Sequence, residues 1–122
     1  MKPFIYNLNE TKVIALDGEL DAHAVSELRG EFEALTESKQ NLIIDLSKVH
    51  FVDSSGVGVI VFLYKRLLTL HLNLSLIGVN GQPAELFEML HINRSINCYD
   101  TTYEYLRALP GIVINQDNSQ AA

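Results

Sequence analysis

Asp53-Ser54-Ser55-Gly56 sets a carboxylate and two hydroxyls side by side, between an apolar run ending near Val52 and a strongly periodic one beginning at Val57. Where a strand hands over to a helix, the first backbone N–H groups lack partners and the positive end of the dipole points outward. Asp and Ser can do two things at such a point. They can cap the helix by accepting hydrogen bonds from those N–H groups, or a serine there can carry a phosphate, adding about −1.5 to −2 charges. Asp53, Ser54 and Ser55 are all good capping types, which leaves capping slightly ahead of signalling on side-chain chemistry alone. A phosphate would be partly accommodated by the dipole and the N–H groups, so the fold is expected to survive it. Repulsion from Asp53, and from Asp21 if it lies nearby, would make the altered surface a binding switch.

Other chemistries are poorly represented. Neither serine lies in a Gly-x-Ser-x-Gly setting, and no neighbouring residue marks a histidine base. His23, His50, His71 and His91 show no metal-ligand spacing, so no metal site is expected. Gly56-Val-Gly58 lacks the third glycine and the lysine of nucleotide-binding loops, and reads as a turn that packs closely. No cofactor is implied, and an enzyme is not expected. Asp17, Glu19 and Asp21 cluster in Leu16-Asp-Gly-Glu-Leu-Asp21; paired carboxylates can act as acid and base, but nothing marks a pocket for them. Asp21 reads as the N-cap of the helix beginning at Ala22, and can also form part of a partner surface.

The elements that must position these residues alternate. Phe4 to Leu8 and Val13 to Leu16 are short apolar runs separated by Asn7, Asn9 and Glu10, which reads as a hairpin. Val25, Leu28, Phe32 and Leu35 recur at helical spacing, and Leu42 to Leu46 is a short strand apolar on both faces. A second helix is expected from about Ser55 to Leu70, with Val57, Ile60, Val61, Tyr64, Leu67 and Leu68 as its apolar stripe. A strand over Leu72–Ile77 follows. Pro83 suits the first turn of a third helix carrying Leu86, Phe87, Met89 and Leu90. A short strand over Ser95–Tyr99 and a helix from about Thr101 to Ala108 complete the pattern. This order implies one α/β domain over residues 1–110, with a mixed, mostly parallel sheet of about four to five strands and about four helices. Residues 111–122 lose periodicity and read as a loose polar tail.

Composition bounds the setting. The chain has 122 residues and is 48% hydrophobic, enough for one packed core without staples. Its single cysteine, Cys98, allows no internal disulfide and reads as a small buried hydrophobe in a reducing compartment. A formal net charge of −6 without a basic stripe disfavours direct nucleic-acid binding and suits a basic protein partner. The start shows neither the apolar core of a signal peptide nor, further on, a membrane span, so a cytoplasmic protein with no membrane insertion is expected.

Gly18-Glu-Leu-Asp21, Leu42-Ile-Ile-Asp-Leu-Ser47 and Phe51-Val-Asp-Ser-Ser-Gly-Val-Gly58 together resemble, in order and spacing, the STAS domain of bacterial anti-sigma-factor antagonists. The resemblance runs from about Phe4 to Ala108. It implies a partner-switching regulator that, when unphosphorylated, binds a switch kinase (the anti-sigma factor) and releases that kinase's target. It further implies phosphorylation at the serine directly after the aspartate, here Ser54, and reversal by a PP2C-like serine phosphatase. Ser55 is then the companion hydroxyl, a cap in preference to an acceptor. Asp21, Asp53, Ser55 and Gly56 are placed on or beside the partner-facing surface. The alternative within the same fold is a non-switching STAS scaffold, or a subunit of a stress-signalling or lipid-transport assembly. One departure stands out: Met89-Leu-His-Ile92 replaces the Gly-Leu pair that often follows the third helix in this family.

Overall fold

The computed structural model describes residues 1–109, and the polar tail expected over residues 111–122 lies outside them. Strands β1 (Phe4–Leu8) and β2 (Thr11–Leu20) form the hairpin, followed by α1 (Ala22–Glu37), β3 (Leu42–Val52) and α2 (Ser54–Thr69). Then come β4 (Leu74–Ile77), α3 (Gly81–Met89), a 3-10 turn (Ile92–Arg94), β5 (Asn97–Tyr99) and α4 (Thr102–Arg107). Asn9 and Glu10 both take positive φ, 54° and 22°, which is the backbone a two-residue hairpin turn demands.

The five strands lie in sequence order, β1-β2-β3-β4-β5. Only β1 and β2 pair antiparallel; the other pairings are parallel. This is the mixed, mostly parallel α/β sheet that the alternation of elements implies. Each parallel connection steps one strand in the same direction, and crossovers of a common hand put their helices on one face. The core agrees. Leu28 and Phe32 of α1, Ile60, Leu63 and Leu67 of α2, and Phe87 of α3 bury against Ile14, Ile44 and Leu76. The opposite face holds a smaller cluster, Val13, Ile43 and Ile77, covered by Tyr105 of α4. Tyr105 also hydrogen-bonds Thr11 through their hydroxyls at 3.2 Å.

Several boundaries differ from the periodic reading, each for a physical reason. β2 and β3 extend well beyond their apolar cores, because past the end of β4 they pair with each other alone, from Asp17↔Lys48 to Leu20↔Val52. The extension carries polar residues and register shifts, with Gly18 at φ +115°, so its period-2 signal is broken. β4 starts at Leu74 and not Leu72, because the Leu72 N–H donates to the Leu67 carbonyl at 2.8 Å in the closing turn of α2. His71, at φ 60°, makes the companion bond to Leu68, which is the Schellman arrangement. On α2 the buried spine is Gly56, Ile60, Leu63 and Leu67; Leu63 replaces Leu68, which is 46% exposed. On α3 only Pro83 and Phe87 are buried, and Met89 and Leu90 face outward. His91 adopts φ 60°, so the turn after α3 is made without glycine. Cys98 corrects its expected burial: the residue is exposed at the edge strand β5. Burial of the thiol nonetheless raises its pKa, and the sulfur contacts the Ile96 carbonyl at 3.5 Å.

Candidate functional site at the ends of two parallel strands

Leu20 and Val52 are register partners at the C-terminal ends of β2 and β3. Asp21 and Asp53 follow directly and become the N-caps of α1 and α2. Two helix starts, each headed by an aspartate, thus follow the ends of neighbouring strands, whose backbones run about 4.8 Å apart. The Asp53 N–H donates to the Leu20 carbonyl at 3.4 Å, tying the two ends together.

Each cap is made by a carboxylate. Asp21 Oδ1 accepts from the Ala24 N–H at 2.9 Å, as expected of an N-cap. Asp53 Oδ1 accepts from both the Ser55 and Gly56 N–H groups, at 2.9 and 3.1 Å. This resolves the alternatives at Asp53-Ser54-Ser55 and corrects one of them: Asp53 is the cap and Ser55 is not. The physical reason is backbone conformation. Asp53 is extended (φ −104°, ψ −171°) as a cap must be, whereas both serines already lie inside the first turn.

The serines divide by exposure. Ser54, the first residue of α2, is exposed, while Ser55 is half-buried. Ser55 lines a groove of about 320 Å³ between α1 and α2, together with Val25, Phe32, Val59 and the exposed Phe62. Gly56, expected on or beside the partner-facing surface, is buried. A Cβ there would stand 2.5 Å from the Leu20 carbonyl oxygen and 2.8 Å from Val52 Cγ1. The glycine lets the helix start press against the strand end, and it offers no surface. Asp21 and Asp53 are half-buried, and Asp53 directly precedes the exposed Ser54.

Further carboxylates on β2 and α1 lie beside basic groups. Glu19 on β2 lies 3.8 Å from His50 on β3, and Glu27 on α1 lies 3.4 Å from His23. Glu27 also bonds the N-terminal ammonium, which holds its carboxyl below the usual range. Among the described residues, no group of three His, Cys, Asp or Glu is placed to hold a metal ion, and no helix is long and apolar enough to cross a membrane.

One residue had no signal in the sequence. Gln82, in the first turn of α3, meets the backbone of Val52: its Oε1 accepts from the Val52 N–H at 2.9 Å and its Nε2 donates to the Val52 carbonyl at 3.0 Å. The partners are thirty positions apart and only the fold brings them together.

The STAS domain family model matches residues 3–105. The anti-sigma F factor antagonist of Paenibacillus polymyxa is 27% identical over 99 residues, covering 80% of this chain and 85% of that protein. A putative anti-sigma factor antagonist from Thermotoga maritima superposes with a TM-score of 0.80 at 18% identity, covering 86% of this chain and 92% of the other. The Bacillus cell fate determinant SpoIIAA, solved in its phosphorylated form, superposes with a TM-score of 0.69 at 22% identity, covering 88% of this chain and all of the other. These two likenesses extend the match in sequence to the fold. With a family model spanning nearly all the described residues, and the five-stranded sheet and four α-helices in place, the chain belongs to the STAS domain family.

Proposed function

We propose that this chain is a phosphorylation-controlled partner-switching regulator of the anti-sigma-factor-antagonist kind, acting in the cytoplasm. Unphosphorylated, it binds a switch kinase of the anti-sigma-factor type, which then releases its target. The kinase transfers the γ-phosphoryl group of ATP to Ser54 Oγ; the serine gives up its proton and ADP leaves. A PP2C-like serine phosphatase hydrolyses the phosphate and restores the binding form.

The observation that carries this reading is the division of labour at the head of α2. Asp53 supplies the cap, so the Ser54 hydroxyl is not needed for it and is exposed. Asp53 also occupies the Ser55 and Gly56 N–H groups. A phosphate on Ser54 therefore stays outside the first turn, beside a carboxylate. Repulsion between a charge of about −2 and one carboxylate about 5 Å away in water is on the order of 1–2 kcal/mol. The helix dipole offsets about 0.3–1 kcal/mol of it. The fold tolerates the modification, while the surface gains bulk and about two further negative charges.

Blocking follows from the same geometry. A kinase that phosphorylates Ser54 must seat its hydroxyl against the nucleotide phosphates, and after transfer two phosphate groups would face each other there. Like charges juxtaposed in an interface cost several kcal/mol. Asp21, Asp53 and Ser55 contribute the surrounding surface, and the acidic charge favours a basic patch on the kinase. Ser54→Ala is expected to bind the kinase and accept no phosphate, and Ser54→Asp to bind weakly. Equal binding of wild type, Ser54→Ala and Ser54→Asp would overturn the reading.

A further inference from the structure

β3 outruns β4. The last β4 residue, Ile77, pairs with Asp45, whereas β3 continues to Val52. On the other side β2 keeps pace, with Leu20 opposite Val52 and the Asp53 N–H bonded to the Leu20 carbonyl. In a strand, alternate residues aim their N–H and C=O at opposite neighbours. Asp53 is tied toward β2, so Val52 aims its pair toward the side where β4 is missing. The Gln82 side-chain amide fills that place: it accepts from the Val52 N–H at 2.9 Å and donates to the Val52 carbonyl at 3.0 Å. One amide satisfies both groups that a longer β4 would have bonded. The end of β3 is thereby held from both edges, the fully buried Val52 toward α3 and Asp53 toward β2.

We propose that Gln82 is a positioning residue for the Ser54 site: by standing in for the missing end of β4, it fixes the end of β3 and hence the Asp53 cap and the Ser54 hydroxyl. Its hydrogen bonds go to Val52 and not to either serine. The consequence for phosphorylation rests on the reading of Ser54 given above, while the consequence for the cap does not. Asn80, the neighbouring N-cap of α3, is the natural comparison. Its side chain bonds the Ser47 and Gly78 carbonyls, at 3.4 and 2.8 Å, so it fastens the same helix start without reaching Val52.

The test is residue-resolved amide hydrogen exchange on the full chain in the wild type, Gln82→Met and Asn80→Ala. Methionine keeps the length of glutamine and removes both bonds. In Gln82→Met the Val52, Ser55 and Gly56 amides are expected to exchange several-fold to ten-fold faster, with Ile60 and Leu63 unchanged. Asn80→Ala is expected to leave Ser55 and Gly56 as in the wild type. Faster exchange at Val52 with Ser55 and Gly56 unchanged would overturn the proposal. So would equal loosening by both variants, or a uniform rise that reaches Ile60 and Leu63. Should Gln82→Met not fold, Gln82→Glu, which keeps only the acceptor for the Val52 N–H, reads the same amides by the same criteria. Initial rates of Ser54 phosphorylation by an anti-sigma-factor-type switch kinase with MgATP are then expected to fall several-fold in Gln82→Met and to hold in Asn80→Ala. If the wild type takes no phosphate on Ser54, the functional reading fails and the exchange result still decides the role of Gln82.

Discussion

Gly56 and Gly58 sit two residues apart in one helix, and alanine at each should move stability in opposite directions. At Gly56 the new Cβ would lie 2.5 Å from the Leu20 carbonyl oxygen, 2.8 Å from Val52 Cγ1 and 3.0 Å from Leu20 Cγ. The first neighbour is backbone and cannot swing away. Restoring an ordinary contact requires the head of α2 to retreat by about 0.9 Å from the end of β2, in an interior packed at crystal-like density. Overpacking of this kind costs about 1–3 kcal/mol, and the better helix propensity of alanine returns under about 1 kcal/mol. We expect a net loss of about 1–2 kcal/mol, or roughly 4–8 °C in Tm for a domain of this size. At Gly58 nothing lies within 4 Å of the added Cβ, so propensity acts alone and should raise stability by about 0.5–1 kcal/mol. Urea denaturation of the two variants beside the wild type measures the split. Gly56→Ala at or above wild-type stability would refute the close approach of α2 to β2, and with it the placing of Asp53 beside Asp21.

Asp53→Ala should cost about 1 kcal/mol, within a range of 0.5–2, by stripping the Ser55 and Gly56 N–H groups of their acceptor, and Asp53→Asn should retain most of that in the same denaturation assay. His71→Gly should stabilise the chain by about 0.5 kcal/mol, since relief of the left-handed backbone at φ 60° outweighs the extra freedom of the unfolded glycine; thermal melts read it. Cys98 should react with an alkylating reagent at neutral pH more slowly than free cysteine despite its exposure. Its raised pKa leaves less thiolate, so the rate should climb only at higher pH than for the free amino acid.

The legible parts of the molecule are those with local causes. Helical spacing of Leu28, Phe32 and Leu35 marks α1, the two-sided apolar run Leu42–Leu46 marks a central strand, and Asp21 before Ala22 marks a cap. The strand-to-helix junction at Asp53 is legible too, down to the residue types that could serve there. What stayed hidden depends on the neighbour across space. The polar extension of β2 and β3 carries no alternation because it is partly solvated and bulged at Gly18. Choosing among three adjacent capping types required the extended backbone of Asp53. The burial of Gly56 required the Leu20 carbonyl, and the bonds of Gln82 to Val52 span thirty positions.

The most direct test is to incubate the chain with an anti-sigma-factor-type switch kinase and MgATP, then map the phosphate by fragmentation mass spectrometry. A single phosphate is expected on Ser54, none on Ser55, with loss of kinase binding in step with its appearance. Phosphate on another residue with Ser54 unmodified, or kinase binding unchanged after Ser54 is fully phosphorylated, would contradict it.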